Sequence, residues 1–246
     1  MMIYDFSSYS QDEAIAFAST GNAVEDRIAN RYSSLFYGIK QDQSLTFRLV
    51  FGADDYYLDN DDPFSRYQVA KIAEWLTGHD EMKWLTIDQV DMARIRYKCR
   101  VSELRLITTG GSPWAFQCTV TCDSPFAYLE EETRTYTVNS SSTIDIDNIS
   151  SYKGYYRPKI KIITRQAGDV SITNTSDNNR LFKFTSLANN KTITVDNENQ
   201  IITSDTNLYP SFNFNFLRLV PGNNRLTLSG NFTLEVTLAF PVDVGA

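Results

Sequence analysis

From Ile160 onward the chain is a run of short segments whose apolar residues recur at every second position, with no helical period between them. Phe232, Leu234, Val236, Leu238 and Phe240 alternate with their neighbours without a fault. Ile160 and Ile162, Val170–Thr173, Leu181–Thr185, Thr192–Val195 and Arg225–Leu228 read as further strands, and Phe212, Phe214 and Phe216 alternate with Asn. Turn formers separate them: Gly168-Asp169, Asp196–Asn199, Pro221-Gly222-Asn223-Asn224 and Gly230-Asn231. Successive side chains of an extended strand point to opposite faces, so a period of two gathers the apolar residues on one side. Many short strands of this kind in series predict a β-sandwich.

The first half is composed differently. Trp75, Trp84, Trp114, all four Met, all three Cys and the single His79 precede residue 123, whereas 15 of 18 Asn follow residue 128. The break predicts two domains, residues 1–130 and 131–246, each large enough for its own core. Without His, Cys, Trp or Met, the second cannot build most nucleophile–base pairs or soft metal sites. A hydrophobic content of 42% and an aromatic content of 13% are those of a folded protein. No apolar run approaches the roughly 18–20 residues of a membrane span, so no membrane insertion is expected. The start, MMIYDFSSYS, lacks the basic-then-apolar pattern of a secretory signal, which predicts a protein kept in a cytoplasm or built into something assembled there.

Of the net charge of −7, residues 1–128 carry −6, from 12 basic and 18 acidic side chains. A net-acidic domain opposes non-specific adhesion to nucleic acid. Cys99, Cys118 and Cys122 are odd in number and lie in expected strands, so they read as buried hydrophobes rather than a disulfide framework or a zinc site.

Residues 1–45 carry little pattern beyond a short helix candidate at Gln11–Ser19. Leu45, Phe47, Leu49 and Phe51 alternate as a strand. An acidic stretch, Asp54–Asp62, then leads into a helix: Asp62 suits the cap, Pro63 the first turn, and Gly78 the stop. Val69, Ile72, Ala73, Trp75 and Leu76 form its apolar stripe. Trp84–Ile87 is a short strand. Ile95, Tyr97, Cys99 and Val101 make one apolar strand face and Phe116, Cys118, Val120 and Cys122 another, across a turn containing Gly110-Gly111-Ser112-Pro113. These predict an antiparallel hairpin.

Strung together, these segments resemble the distal tail proteins of long-tailed phages (siphophages) that infect Gram-positive bacteria. In the first half the resemblance lies in IAEWLTG (72–78), WLTI (84–87), YKCRV (97–101) and FQCTVTCDSPFAY (116–128). In the second half it lies in IDNISSYKGYYRPKIKI (146–162), GDVSITN (168–174), ITVDNENQII (193–202) and FLRLVPGNNRL (216–226). Their order and spacing carry the match, which covers most of residues 37–240. The resemblance implies a first, ring-forming domain with a β-sandwich, one helix and an extended hairpin, followed by a galectin-like β-sandwich. It also implies a hexameric ring between the tail tube protein and the baseplate or tail tip, with genomic DNA passing through the channel. Further partners so implied are the tail-associated lysin or tail-spike protein and the receptor-binding proteins; no cofactor is.

Four cations line the outer face of one strand: Arg94, Arg96, Lys98 and Arg100. Neighbours about 7 Å apart repel by roughly 0.6 kcal/mol per pair even in water. Gln117, Thr119 and Thr121 on the expected partner strand offer no acid, so relief must come from another element or another subunit. The row reads as a solvated face, as a subunit or tail-tube interface paired with acids, or as a nucleic-acid contact. Asp54, Asp55, Asp59, Asp61 and Asp62 fail the calcium-loop pattern, because Phe64 and Ala70 stand where Gly and Glu belong counting from Asp59.

Sugar-binding galectins share a His–Asn–Arg cluster and a stacking Trp, and residues 129–246 contain neither His nor Trp. Tyr152, Tyr155 and Tyr156 remain as saccharide-stacking candidates, or as structural aromatics near a domain start. His79 reads as an exposed residue at a helix end, and neither phosphate-binding glycine motif occurs. The expectation is a non-enzymatic virion protein at the tail tip, mainly β with one helix. The alternative is an adsorption protein that binds host cell-wall carbohydrate.

Overall fold

A computed structural model describes residues 22–26, 35–40, 44–52, 62–87 and 94–243, the first two stretches by backbone alone. The expected helix at Gln11–Ser19 and the acidic residues 54–61 lie outside these. The chain divides into two compact units, residues 1–127 with 243–246 and residues 128–242.

In the first unit β1 (Asn22–Asp26) and β2 (Leu35–Lys40) form an antiparallel pair. The main sheet contains β3 (Thr46–Gly52), β4 (Lys83–Thr86), β5 (Ile95–Thr109) and β6 (Ser112–Cys122). β6 runs between β3 and β5, and β4 pairs with the other edge of β5. Alternation does its expected work here. Phe47 and Phe51 stand opposite Val120 and Phe116, and all four are buried. With Leu45, Phe64, Ile72, Tyr97 and the three cysteines they make one core.

The helix α1 spans Arg66–Thr77 and starts later than its sequence suggests. Ser65, not Asp62, caps it: the Ser65 hydroxyl accepts from Gln68 N–H at 3.3 Å, and the Gln68 side chain accepts from Ser65 N–H at 2.8 Å. This reciprocal capping box is worth about 1 kcal/mol. Pro63 stays outside because the next residue is engaged elsewhere: Phe64 N–H donates to Pro113 O at 2.7 Å, and its ring packs on Phe116. Gly78 ends the helix as expected, its N–H donating to Glu74 O at 2.8 Å. The apolar stripe is narrower than the composition suggests. Ile72 is buried and Val69, Ala73 and Leu76 are partly so, whereas Trp75 is 59% exposed. Trp75 falls off the face shared by positions 69, 72, 73 and 76.

The β5–β6 hairpin closes at Gly110 and Gly111, both at positive φ (61° and 83°), as a two-residue primed turn requires. Ser112 and Pro113, expected in the turn, already belong to β6. The register shifts by one residue at Trp114 and shifts back at Ser102, so the two bulges cancel.

β7 (Ala127–Leu129) carries the division between the units. The second unit is a two-sheet sandwich built from β8 (Glu132–Val138), β9 (Ser141–Asn148), β10 (Lys159–Thr164), β11 (Gly168–Asn174), β12 (Arg180–Leu187), β13 (Thr192–Asp196), β14 (Ile201–Thr203), β15 (Gly222–Ser229) and β16 (Phe232–Leu238). The short β17 (Pro241–Val242) follows. One sheet has the order β14-β13-β10-β16-β8 and the other β12-β11-β15-β9. Inward residues of both sheets share a single core that includes Ile160, Ile162, Ile172, Phe182, Phe184, Leu226, Leu228 and all of Phe232, Leu234, Val236 and Leu238.

Two buried asparagines hold irregular backbone in this unit. Asn224, fully buried, donates to Val220 O and Gly222 O at 2.8 Å each and accepts from Val220 N at 2.8 Å and Asn174 Nδ2 at 2.9 Å. Asn197, also buried, donates to Pro158 O and accepts from Leu217 N. These amides supply the partners that irregular backbone would otherwise lack. The Phe212–Phe216 segment is accordingly not a strand. After a 3₁₀ turn, η1 (Tyr209–Ser211), the chain runs as a loop whose shape Asn213 fixes, accepting from Lys183 N and Asn215 N and donating to Leu181 O. Phe212 and Phe216 are buried, but Phe214 sits at φ 58° and is 61% exposed.

Candidate functional site

The cationic row lies on one face of the first part of β5, the part that pairs with β4. Arg94 immediately precedes the strand and is exposed, as are Lys98 and Arg100; Arg96 is half-buried. Part of the relief that the row needs comes from within the unit. The Arg96 guanidinium carbon stands 4.9 Å from the centre of the Trp84 ring on β4. Lys98 Nζ lies 3.7 Å from an Asp123 carboxylate oxygen, just past the end of β6, and Asp123 N–H also donates to Lys98 O at 2.9 Å. So partly exposed an ion pair contributes at most about 1 kcal/mol. Arg94 and Arg100 form no ion pair with a described residue; Arg100 stands opposite Thr121. Arg96 keeps two buried nitrogens, Nε and Nη2, without a hydrogen-bond partner among the described residues.

Beyond Ser102 the β5 side of the hairpin is mostly exposed, while Phe116 and Cys118 on β6 stay in the core and Leu104 packs partly against it. Glu103 and Arg105 are exposed and 3.8 Å apart, and the apolar Leu106 and Ile107 are exposed next to each other. The arm therefore offers charge at its base and apolar surface towards its tip. Surface of that kind suits a protein contact better than catalysis. Among the described residues no group of three or more His, Cys, Asp or Glu could hold a metal ion.

The three tyrosines serve different ends. Tyr156 is half-buried: its hydroxyl accepts from Ala239 N–H at 2.7 Å and its ring packs 4.7 Å from Phe240. Burial pushes its phenol up to about 12, against the opposing pull of the Ala239 N–H. Tyr155 is exposed, with the Arg218 guanidinium 3.7 Å from its ring centre. Arg218 is held there by Asp177, itself 4% exposed, through bonds of 2.7 and 3.1 Å. Tyr152 is exposed and folds back over Gly154, where a Cβ would come within 2.5 Å of its ring.

Sequence reading overlooks one surface. Tyr209 and Phe214 are both exposed and stack at 6.2 Å beside a shallow hollow of about 410 Å³ lined by residues 202–209. The Asn-Phe alternation hides it, because a strand would have turned all three phenylalanines inward.

Residues 1–124 match a family described as phage tail protein N-terminal domain, and residues 126–239 match one described as phage tail C-terminal domain. No curated protein matches the chain at a significant level. Among solved structures, the Dit protein of phage SPP1 is similar over 89% of this chain and 87% of its own, with a TM-score of 0.63 and 15% identity. It is described as a paradigm of the hub adsorption apparatus in phages infecting Gram-positive bacteria. A chain of the phage p2 baseplate, in its activated conformation with Sr, is similar over 90% of this chain and 87% of its own, with a TM-score of 0.51 and 9% identity. At these identities the likeness is one of fold. Matched along nearly its whole length by two tail-protein domains, the chain belongs to the phage tail proteins and carries the fold of the Dit hub.

Proposed function

We propose that this protein is the ring-forming hub at the distal end of a phage tail, joining the tail tube to the baseplate or tail tip. The observation that carries this reading is the fold likeness to SPP1 Dit, which runs through both units rather than one. In this reading the first unit closes into a homohexameric ring through self-complementary lateral surfaces. Arg94, Arg96, Lys98 and Arg100, with the exposed arm of the β5–β6 hairpin, form one of those surfaces and meet acids of the neighbouring copy. The tail tube protein docks on one side of the ring, the tail-spike or lysin-bearing protein on the other. The galectin-like second unit reaches outward to receptor-binding or other baseplate proteins. DNA passes through without specific contact, as a net-acidic wall favours. The work is geometric and no catalysis is assigned to it; assembly takes place in the host cytoplasm.

Mass measurement in solution followed by negative-stain imaging tests this. Six-fold rings support the hub; a protein that stays monomeric at every concentration and with its tail partners present counts against it. Saccharide binding is tested separately on a glycan array. The Arg218 guanidinium on Tyr155 and the engaged Tyr156 hydroxyl predict no clear hits. Hits that vanish in Tyr155→Ala would support the adsorption reading instead.

A further inference from the structure

Two thiols face each other across the β5–β6 ladder. Cys99 and Cys122 are Cα partners, and both are free thiols. The next pair outward, Lys98 and Asp123, is joined by the Asp123 N–H to Lys98 O bond of 2.9 Å. In an antiparallel ladder closely bonded and non-bonded pairs alternate, so Cys99–Cys122 is a non-hydrogen-bonded pair. At such a pair Cα atoms approach to about 4.5 Å and side chains come closest. A disulfide bridges Cα separations of about 4.4–6.8 Å, so the backbone needs little adjustment. Cys122 hydrogen-bonds Cys99, which holds the Cys99 thiol below its ordinary range and pushes that of Cys122 up. Cys99 is 7% exposed and Cys122 1%. Cys118 shares the same inward face but stands opposite Leu104 and Leu49, with no cysteine across from it.

We infer that Cys99 and Cys122 form a dithiol that closes into a disulfide when the protein meets a peroxide, clamping the base of the hairpin arm. The Cys99 thiolate attacks one oxygen of hydrogen peroxide, the O–O bond breaks, and the departing hydroxide takes up a proton as water. Cys99 is then a sulfenic acid. The Cys122 sulfur, its proton released, attacks the Cys99 sulfur, the S–O bond breaks, and a second water leaves. Two thiols are oxidised and one peroxide is reduced to two waters. The link encloses the arm from Arg100 to Thr121. Entry of the small oxidant needs only local opening of the ladder end. The inference does not depend on the hub reading, since it rests on the β5–β6 register and the contact between the two thiols.

The test treats the full chain with hydrogen peroxide, unfolds it in denaturant with an alkylating reagent, and maps the peptides by mass spectrometry. The expected protein lacks two hydrogens, carries one alkyl group on Cys118, and yields a linked Cys99–Cys122 peptide pair that dithiothreitol separates. It also melts at a higher temperature than the reduced protein, and dithiothreitol reverses that shift. Cys118→Ser keeps the link; Cys99→Ser and Cys122→Ser each lose it. Three alkylated cysteines after peroxide, a link that includes Cys118, or oxygen accumulating on Cys99 without a link would each overturn the inference. The mapping of the unsubstituted chain decides the matter even if a variant fails to fold.

Discussion

Arg96 stacks on Trp84, its guanidinium carbon 4.9 Å from the ring centre, while Lys98, directly across the ladder from Trp84, pairs with Asp123. Half of the cationic row is thus braced inside its own unit. Arg94 and Arg100 are the members whose charge no described ion pair takes up. That division sharpens what charge reversal should do.

Arg100→Glu faces Thr121 and breaks no ion pair with a described residue, so the stability of the monomer should change by no more than about 0.5 kcal/mol, as for surface substitutions generally. Ring assembly should weaken. Arg96→Glu with Lys98→Glu should weaken assembly too, and cost roughly 1–2 kcal/mol within the monomer by losing the Trp84 contact and opposing Asp123. Size exclusion beside a thermal melt reads both effects. Intact rings in both variants would remove the row from the interface.

The Tyr97 hydroxyl is buried with no hydrogen-bond partner among the described residues, and burial pushes its phenol up to about 12. Deleting an unsatisfied buried hydroxyl relieves a desolvation cost. Tyr97→Phe should therefore be neutral or stabilising by up to about 1 kcal/mol in urea denaturation. A loss of more than that would mean that the hydroxyl has a partner.

Asn224→Ala removes four hydrogen bonds at a fully buried site and strands the Val220 and Gly222 backbone and the Asn174 amide. A cost of about 3 kcal/mol is expected. Asn223→Ala, one residue away and exposed, serves as the control and should change the urea midpoint little.

Acid should weaken the second unit. Asp205 is held below the usual carboxylate range by Lys191 and by the Ser204 hydroxyl, and Asp169 by Lys183 and Ser186 N–H. At Asp196 burial pushes upward, but the Asn199 N–H groups and Lys159 outweigh it. A carboxyl with a depressed folded value adds stability above its unfolded value, about pH 4, and loses it as pH falls through the folded value. The urea midpoint should drop between roughly pH 4 and pH 2. A flat midpoint across that window would contradict these pairings.

The sandwich was legible wherever strands follow the period of two with large apolar residues, as β16 does from Phe232 to Leu238. β8 and β9 were not, because Thr, Ser and Asp fill most of their positions and only Val138, Ile144 and Ile146 are buried aliphatics there. The Phe212–Phe216 segment shows the opposite failure. Its alternation is sound, but Asn213 takes over the hydrogen bonding and turns Phe214 outward. At the basic row the facing strand carries no acid, and Asp123 lies one residue past the strand end. The opposition of Cys99 and Cys122 follows from a two-residue turn at Gly110–Gly111 once the two bulges cancel, and a turn that also takes in Ser112 and Pro113 hides it.

The central claim is a ring around the tail axis. Cryo-electron microscopy of intact virions tests it most directly, by fitting the chain into density between tail tube and tip. The account predicts six copies encircling the channel, with the β5–β6 arm at the subunit boundary and the second unit facing outward. Density that places the chain away from the axis, or in a single copy, would contradict it.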